Sequence, residues 1–208
     1  MTNPITSRLT PILGTYHLSN EQERSAGKNW YPQAHRTALD VSGPFRCGVI
    51  TSAGVIAALS PNNKWERNIQ DAQRLLDTFK TDGAYAASQV TVSTYGANLQ
   101  KALTILKLQA ATAADVEAIL HGQKIRAFYR CILGDTQSVC VDGHAYSIWR
   151  GEHITTTKTP KISPRLYAQI SADYTQAANL ISSQQFHVVT PAELQAITWV
   201  THKRLVSR

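Results

Sequence analysis

An all-α fold is predicted by three observations. Apolar residues recur at three- and four-residue spacing over most of the chain, capping residues and prolines stand where these runs begin, and almost no stretch alternates apolar with polar. Glycine and proline breaks divide the pattern into eight or so helices, expected as two helical lobes with a cleft between them. At 208 residues with 43% hydrophobic side chains, the chain can fill one core or two lobes sharing one, so residues 1–208 are taken as a single helical domain.

Residues 1–15 carry two prolines and a glycine among hydroxyl side chains with little periodicity, and are expected as an irregular arm. Ser19 or Asn20 can cap a helix running through Trp30 to about Leu39, bent or broken by Gly27 and Pro32. After the Gly43-Pro44 break, Cys47 to Leu59 is nearly all apolar, a central buried helix; for its first half a buried strand is the alternative. The polar corner "SPNNKWERN" follows, and Trp65, Ile69, Ala72, Leu75, Leu76 and Phe79 mark an amphipathic helix. Within residues 81–97 only "QVTVSTYG" reads as a short strand.

Asn98 to Leu108 is helical in spacing, and Thr112 with Asp115 opens the next helix, which His121-Gly122 ends. Ile125, Phe128, Tyr129 and Ile132 give one apolar face to a helix over 124–133, stopped at Gly134-Asp135. Asp142 stands at the cap of the following helix, and "EHITTTKTPKISP" reads as an exposed loop. Helices over 164–182 and 191–205 close the chain, the last with Thr190 as cap and Pro191 in its first turn.

The balance of 21 basic against 14 acidic side chains gives a net charge of +7, which favours a polyanionic partner, with nucleic acid first. No apolar run approaches the roughly 20 residues of a membrane span, and Met1 to Arg8 has no secretory core. A cytoplasmic, nucleoid-associated protein without a membrane or an obligate protein partner is expected. Cys47, Cys131 and Cys140 show neither CxxC spacing nor nearby histidine ligands, so they read as buried free thiols, and no metal or cofactor is expected.

Lys124 begins one helix and Asp142 the next, eighteen residues later. A helix and a return loop can bring both to one end of a helical layer. There a carboxylate beside helix N-terminal amides stays ionised, and a desolvated amine becomes a usable nucleophile. Gly122, Lys124, Val141, Asp142 and His144 together resemble the helix-hairpin-helix (HhH-GPD) DNA glycosylases, the superfamily of endonuclease III, adenine glycosylases and 8-oxoguanine DNA glycosylases. In that superfamily the segment runs as a glycine-rich hairpin, a lysine, a helix and then VDTH or VDVH. The hairpin here reads "AILHGQ", with one glycine where the family has two.

The resemblance spans residues 48–150 and implies a base-excision enzyme acting on double-stranded DNA. In this picture a damaged or modified base is flipped from the stack and its N-glycosidic bond is cleaved. Asp142 would be the essential carboxylate, and Lys124 the nucleophile if AP-lyase activity accompanies excision. Gly122, Gln123 and His144 would contact the DNA, the first two at a phosphate. "IAALSPNNKWERN" resembles the family corner that fills the gap left by an extruded base, which makes Asn62, with Asn63, the wedge.

Each role has a plainer counterpart. Lys124 is otherwise a solvated first-turn residue, Asp142 a cap worth about 1 kcal/mol, and His144 an orienting or core hydrogen-bonding group. Trp30 and Tyr31 interrupt a polar stretch near Lys28 and His35, so they are candidates to stack a flipped base, or else core aromatics. Lys158, Lys161, Arg165, Lys203 and Arg204 are candidate phosphate contacts or solubilising charges. The alternative class is a non-catalytic DNA-binding helical module of phage or mobile-element type that keeps the scaffold without the chemistry.

Overall fold

A computed structural model describes residues 4–43, 48–108, 111–155 and 157–207. The described residues form eleven helices and no strand. In chain order these are α1 (Pro4–His17), α2 (Glu21–Ser42), α3 (Gly48–Leu59), α4 (Trp65–Thr81), α5 (Gly83–Ser88), α6 (Gly96–Leu106), α7 (Ala113–Ile119), α8 (Gln123–Ile132), α9 (Gly143–Arg150), α10 (Pro164–Gln184) and α11 (Pro191–Val206). The all-α class is as predicted, and no described helix is long and apolar enough to cross a membrane. Residues Pro44 and Cys47 lie outside the described residues.

The chain divides into two compact units, one of residues 1–32 with 134–208, the other of residues 33–133. The second unit is built around α3, on which α4, α6, α7 and α8 pack. Every residue of α3 from Thr51 to Leu59 is buried, so the helix reading prevails over the strand. Its composition suits that place: Gly54 lets α3 approach its neighbours, since a Cβ there would stand 2.4 Å from Val116 Cγ1. Thr112 and Asp115 form the expected reciprocal cap at the start of α7.

The first unit packs α1, α9, α10 and α11 together. Here the irregular arm expected over residues 1–15 is corrected to a helix. Leu9, Ile12 and Tyr16 share one buried face of α1, and Pro11 is tolerated inside it, its carbonyl receiving the Thr15 hydroxyl at 2.9 Å. Docking of that face outweighs the low helix propensity of the prolines.

One further expectation is narrowed and one is corrected. Helix α2 runs through Gly27 and Pro32, so it is not broken there. It starts at Asn20, whose Oδ1 accepts from Glu23 N while Glu23 Oε2 accepts from Asn20 N, both at 2.9 Å. Gly27 marks a close approach, because a Cβ there would lie 2.4 Å from Ile197 Cα. The stretch "QVTVSTYG" is no strand: Ser93 N donates to Asp71 Oδ2 at 2.8 Å and Arg74 Nη2 to Thr91 O at 3.0 Å, so side chains of α4 take its backbone groups. The short α5 was not foreseen.

Candidate functional site

Asp142 lies in the first unit, where Val139, Cys140 and Val141 enter α9 as a buried non-helical segment. Its carboxylate accepts from Ala145 N at 2.8 Å, satisfying one of the free donors at the start of α9. The segment before it is held by Tyr167, whose hydroxyl donates to Val139 O at 2.7 Å and accepts from Val141 N at 3.2 Å. The result is a half-buried carboxylate on a braced backbone. Its charge reaches the buried Tyr174 hydroxyl, which burial, foremost, and Asp142 push far above the ordinary tyrosine value, against the contact with Thr198.

His144, in the first turn of α9, is joined to α11. His144 Nδ1 lies 3.1 Å from His202 Nδ1, and His202 Nε2 lies 3.3 Å from Ser147 Oγ, one turn further along α9. The Ser147 hydroxyl donates to Glu152 O and accepts from Ile154 N at 3.0 Å, so the chain leaving α9 closes around it. His153 stacks obliquely near His202, with ring centroids 6.3 Å apart, and Trp199 stands edge-on to His144 at 6.4 Å. Burial, then the charges of His144 and His153, hold His202 below the ordinary histidine value, with Asp142 opposing.

The second unit carries Asn62, Asn63, Gly122, Gln123 and Lys124. Between α7 and α8 stand only Leu120, His121 and Gly122, and Gly122 has φ +88°, a backbone that L side chains rarely adopt. Arg126 Nε returns to Leu120 O at 2.7 Å, and Arg130 pairs with Glu117 across the two helices. Gln123 and Lys124 form the exposed first turn of α8. Asn62 has φ +55° and donates to the Tyr95 hydroxyl, while Asn63 turns inward to Asp71 Oδ2 at 3.1 Å. Of the two asparagines, only Asn62 is exposed.

The remaining candidates separate by their surroundings. Tyr31 is buried and donates to Gln195 Oε1 at 2.8 Å, which makes it a packing residue between α2 and α11. Trp30 packs on Trp199 with ring centroids 5.0 Å apart. Lys203 Nζ sits 4.3 Å from the Trp199 ring and Arg204 pairs with Glu23, so both cations are engaged within their own unit. Lys158, Lys161 and Arg165 are exposed. Cys131 and Cys140 are buried free thiols, as expected, and no group of three or more potential metal ligands occurs among the described residues.

Sequence reasoning missed His202, His153, Ser147 and Trp199, which the fold gathers around His144 from positions up to 58 residues away. It also missed a recess of about 580 Å³ lined by Arg67, Arg74 and residues 90–93. The seven-residue spacing of Arg67 and Arg74 on α4 was the available signal for the recess. A family model described as a family of unknown function, DUF7178, matches residues 3–205. No curated protein matches the chain, and no solved structure does.

Proposed function

Because the chain belongs to DUF7178, a family without an assigned function, we propose from the site itself that the protein is a DNA glycosylase of base-excision type. One observation carries the proposal: Asp142 caps α9 on a braced segment, eighteen residues after a lysine in the first turn of a helix that a three-residue hairpin introduces. This reading includes the two-lobed architecture of the helix-hairpin-helix glycosylases. The net charge of +7 supports a duplex DNA partner, with Gly122, Gln123, Lys158 and Lys161 near phosphates and Asn62 as the wedge.

The chemistry follows from these groups. An ionised Asp142 stabilises positive charge developing on the sugar as the N-glycosidic bond breaks, where a fixed carboxylate needs no reorganisation. If the Lys124 amine attacks C1′, a Schiff base forms and β-elimination nicks the strand. If water attacks, the product is an abasic site.

The test is incubation with duplexes carrying damaged or modified bases, followed by borohydride. Excision with a trapped covalent complex that Lys124→Ala abolishes supports the lyase form, and excision without trapping supports the water form. No excision on any duplex, with salt-sensitive binding retained, points instead to a non-catalytic DNA-binding module.

A further inference from the structure

The hydrogen bonds around Ser147 determine where its proton lies. Its oxygen has one proton and two lone pairs. The close contact with Glu152 O requires a proton between two oxygens, and a carbonyl has none, so the Ser147 proton is there. One lone pair receives Ile154 N–H. The second faces His202 Nε2, which therefore carries a hydrogen and donates it.

A neutral His202 with hydrogen on Nε2 has a bare Nδ1. Since His202 Nδ1 and His144 Nδ1 are 3.1 Å apart, the hydrogen between them belongs to His144. That leaves the lone pair of His144 on Nε2, for which no hydrogen-bond partner occurs among the described residues, on a half-buried ring two positions past Asp142. Free imidazole in a histidine side chain prefers the opposite tautomer, with hydrogen on Nε2. The contacts with Ser147 and His202 reverse that preference.

We infer that Ser147 and His202 are positioning residues that lock His144 in its Nδ1–H tautomer, and that His144 Nε2 is the proton acceptor of the Asp142 site. The role rests on the glycosylase reading. As the attacking water bonds to C1′, its proton passes to His144 Nε2, and the electron pair of the C1′–N bond leaves with the base. The imidazolium so formed keeps its Nδ1–H bond to His202, and Asp142 supplies the neighbouring negative charge.

The groups that reach the histidine pair come from α9, the loop after it and α11. From α9 and the loop after it come Asp142, Ser147 and His153. From α11 come His202 and the Trp199 ring, over which Lys203 Nζ sits. Burial of His202 and the nearby His144 and His153 disfavour charge on His202.

The decisive measurement is long-range ¹⁵N–¹H correlation of the histidine rings in the full chain without DNA. His144 should be protonated at Nδ1 and bare at Nε2 at neutral pH, and His202 protonated at Nε2. In His202→Gln, His144 should revert mainly to Nε2–H. A His144 ring carrying its neutral-pH hydrogen on Nε2 in the wild type overturns the relay. On an excised substrate, His202→Gln should lower kcat tenfold or more with KM unchanged. An unchanged kcat in His202→Gln overturns the acceptor role. The locked tautomers without excision of any base would leave the relay standing and sink the glycosylase reading.

Discussion

Helices α3 and α11 are the buried helices of their respective units, yet they are buried in different ways. From Thr51 to Leu59, α3 presents mostly alanine, valine, isoleucine and leucine to the surrounding helices. Helix α11 buries Gln195, Thr198, Thr201 and His202 beside Leu194, Ala196 and Ile197, and its polar groups are paired: Gln195 with Tyr31, Thr198 with Tyr174, His202 with His144 and Ser147. Burying a polar group costs free energy unless it is hydrogen-bonded, so α11 tolerates few changes of partner. An apolar helix is specified mainly by shape, and α3 adds only a few buried polar contacts, such as the Ser52 hydroxyl donating to Ala38 O at 2.7 Å. The contrast places adjustable chemistry around α11 and rigid support around α3.

The largest expected effect probes close approach in each unit. Gly27→Ala sets a Cβ against the Ile197 backbone and should destabilise by about 3 kcal/mol in urea unfolding, at the upper end of overpacking costs. Gly54→Ala meets the Val116 and Ile105 side chains rather than backbone, so a smaller loss of about 1–2 kcal/mol is expected. A larger loss for Gly54→Ala would show that α3, not α11, is the tighter seat.

Titration is the next contrast. His202 lies below the ordinary histidine value of 6.5 in the folded protein, so the unfolded chain binds more protons as pH falls. Its contribution is complete above 6.5 and is lost as pH drops toward the folded value. Urea midpoints at about pH 7.5 and about pH 5.5 should therefore differ more for wild type than for His202→Gln. Glu193 shifts upward through burial and acts in the opposite sense, but it is common to both proteins.

The smallest effect belongs to the second unit. Tyr129 is fully buried, and its hydroxyl, pushed up to about 12 by burial and by Glu117, has no hydrogen-bond partner among the described residues. Tyr129→Phe should leave stability unchanged or raise it by up to about 1 kcal/mol in the same unfolding experiment. A loss of stability would mean that the Tyr129 hydroxyl makes a stabilising contact.

The same contrast explains what was legible in the sequence. The unbroken apolar run from Ala53 and the spacing in α4 announce their helices, since burial there follows periodicity. Asp142 is legible as a cap because the helix begins with the next residue. Helix α1 was hidden because its prolines mask the Leu9, Ile12 and Tyr16 face. The stretch 89–96 imitates a strand in its residue pattern, but its backbone partners are the Asp71 and Arg74 side chains, 22 and 17 residues earlier. His202 gave no local sign: an exposed-looking "THKR" becomes a buried relay member only when α11 docks on α9.

The most direct test of the account compares Asp142→Asn with wild type on a duplex carrying an excised base. Asparagine caps a helix about as well as aspartate, so stability should change by only a few tenths of a kcal/mol. Loss of the fixed charge should slow single-turnover excision by about 10² to 10⁴-fold. Excision at the wild-type rate in Asp142→Asn, or no excision by the wild type on any damaged or modified base, would contradict it.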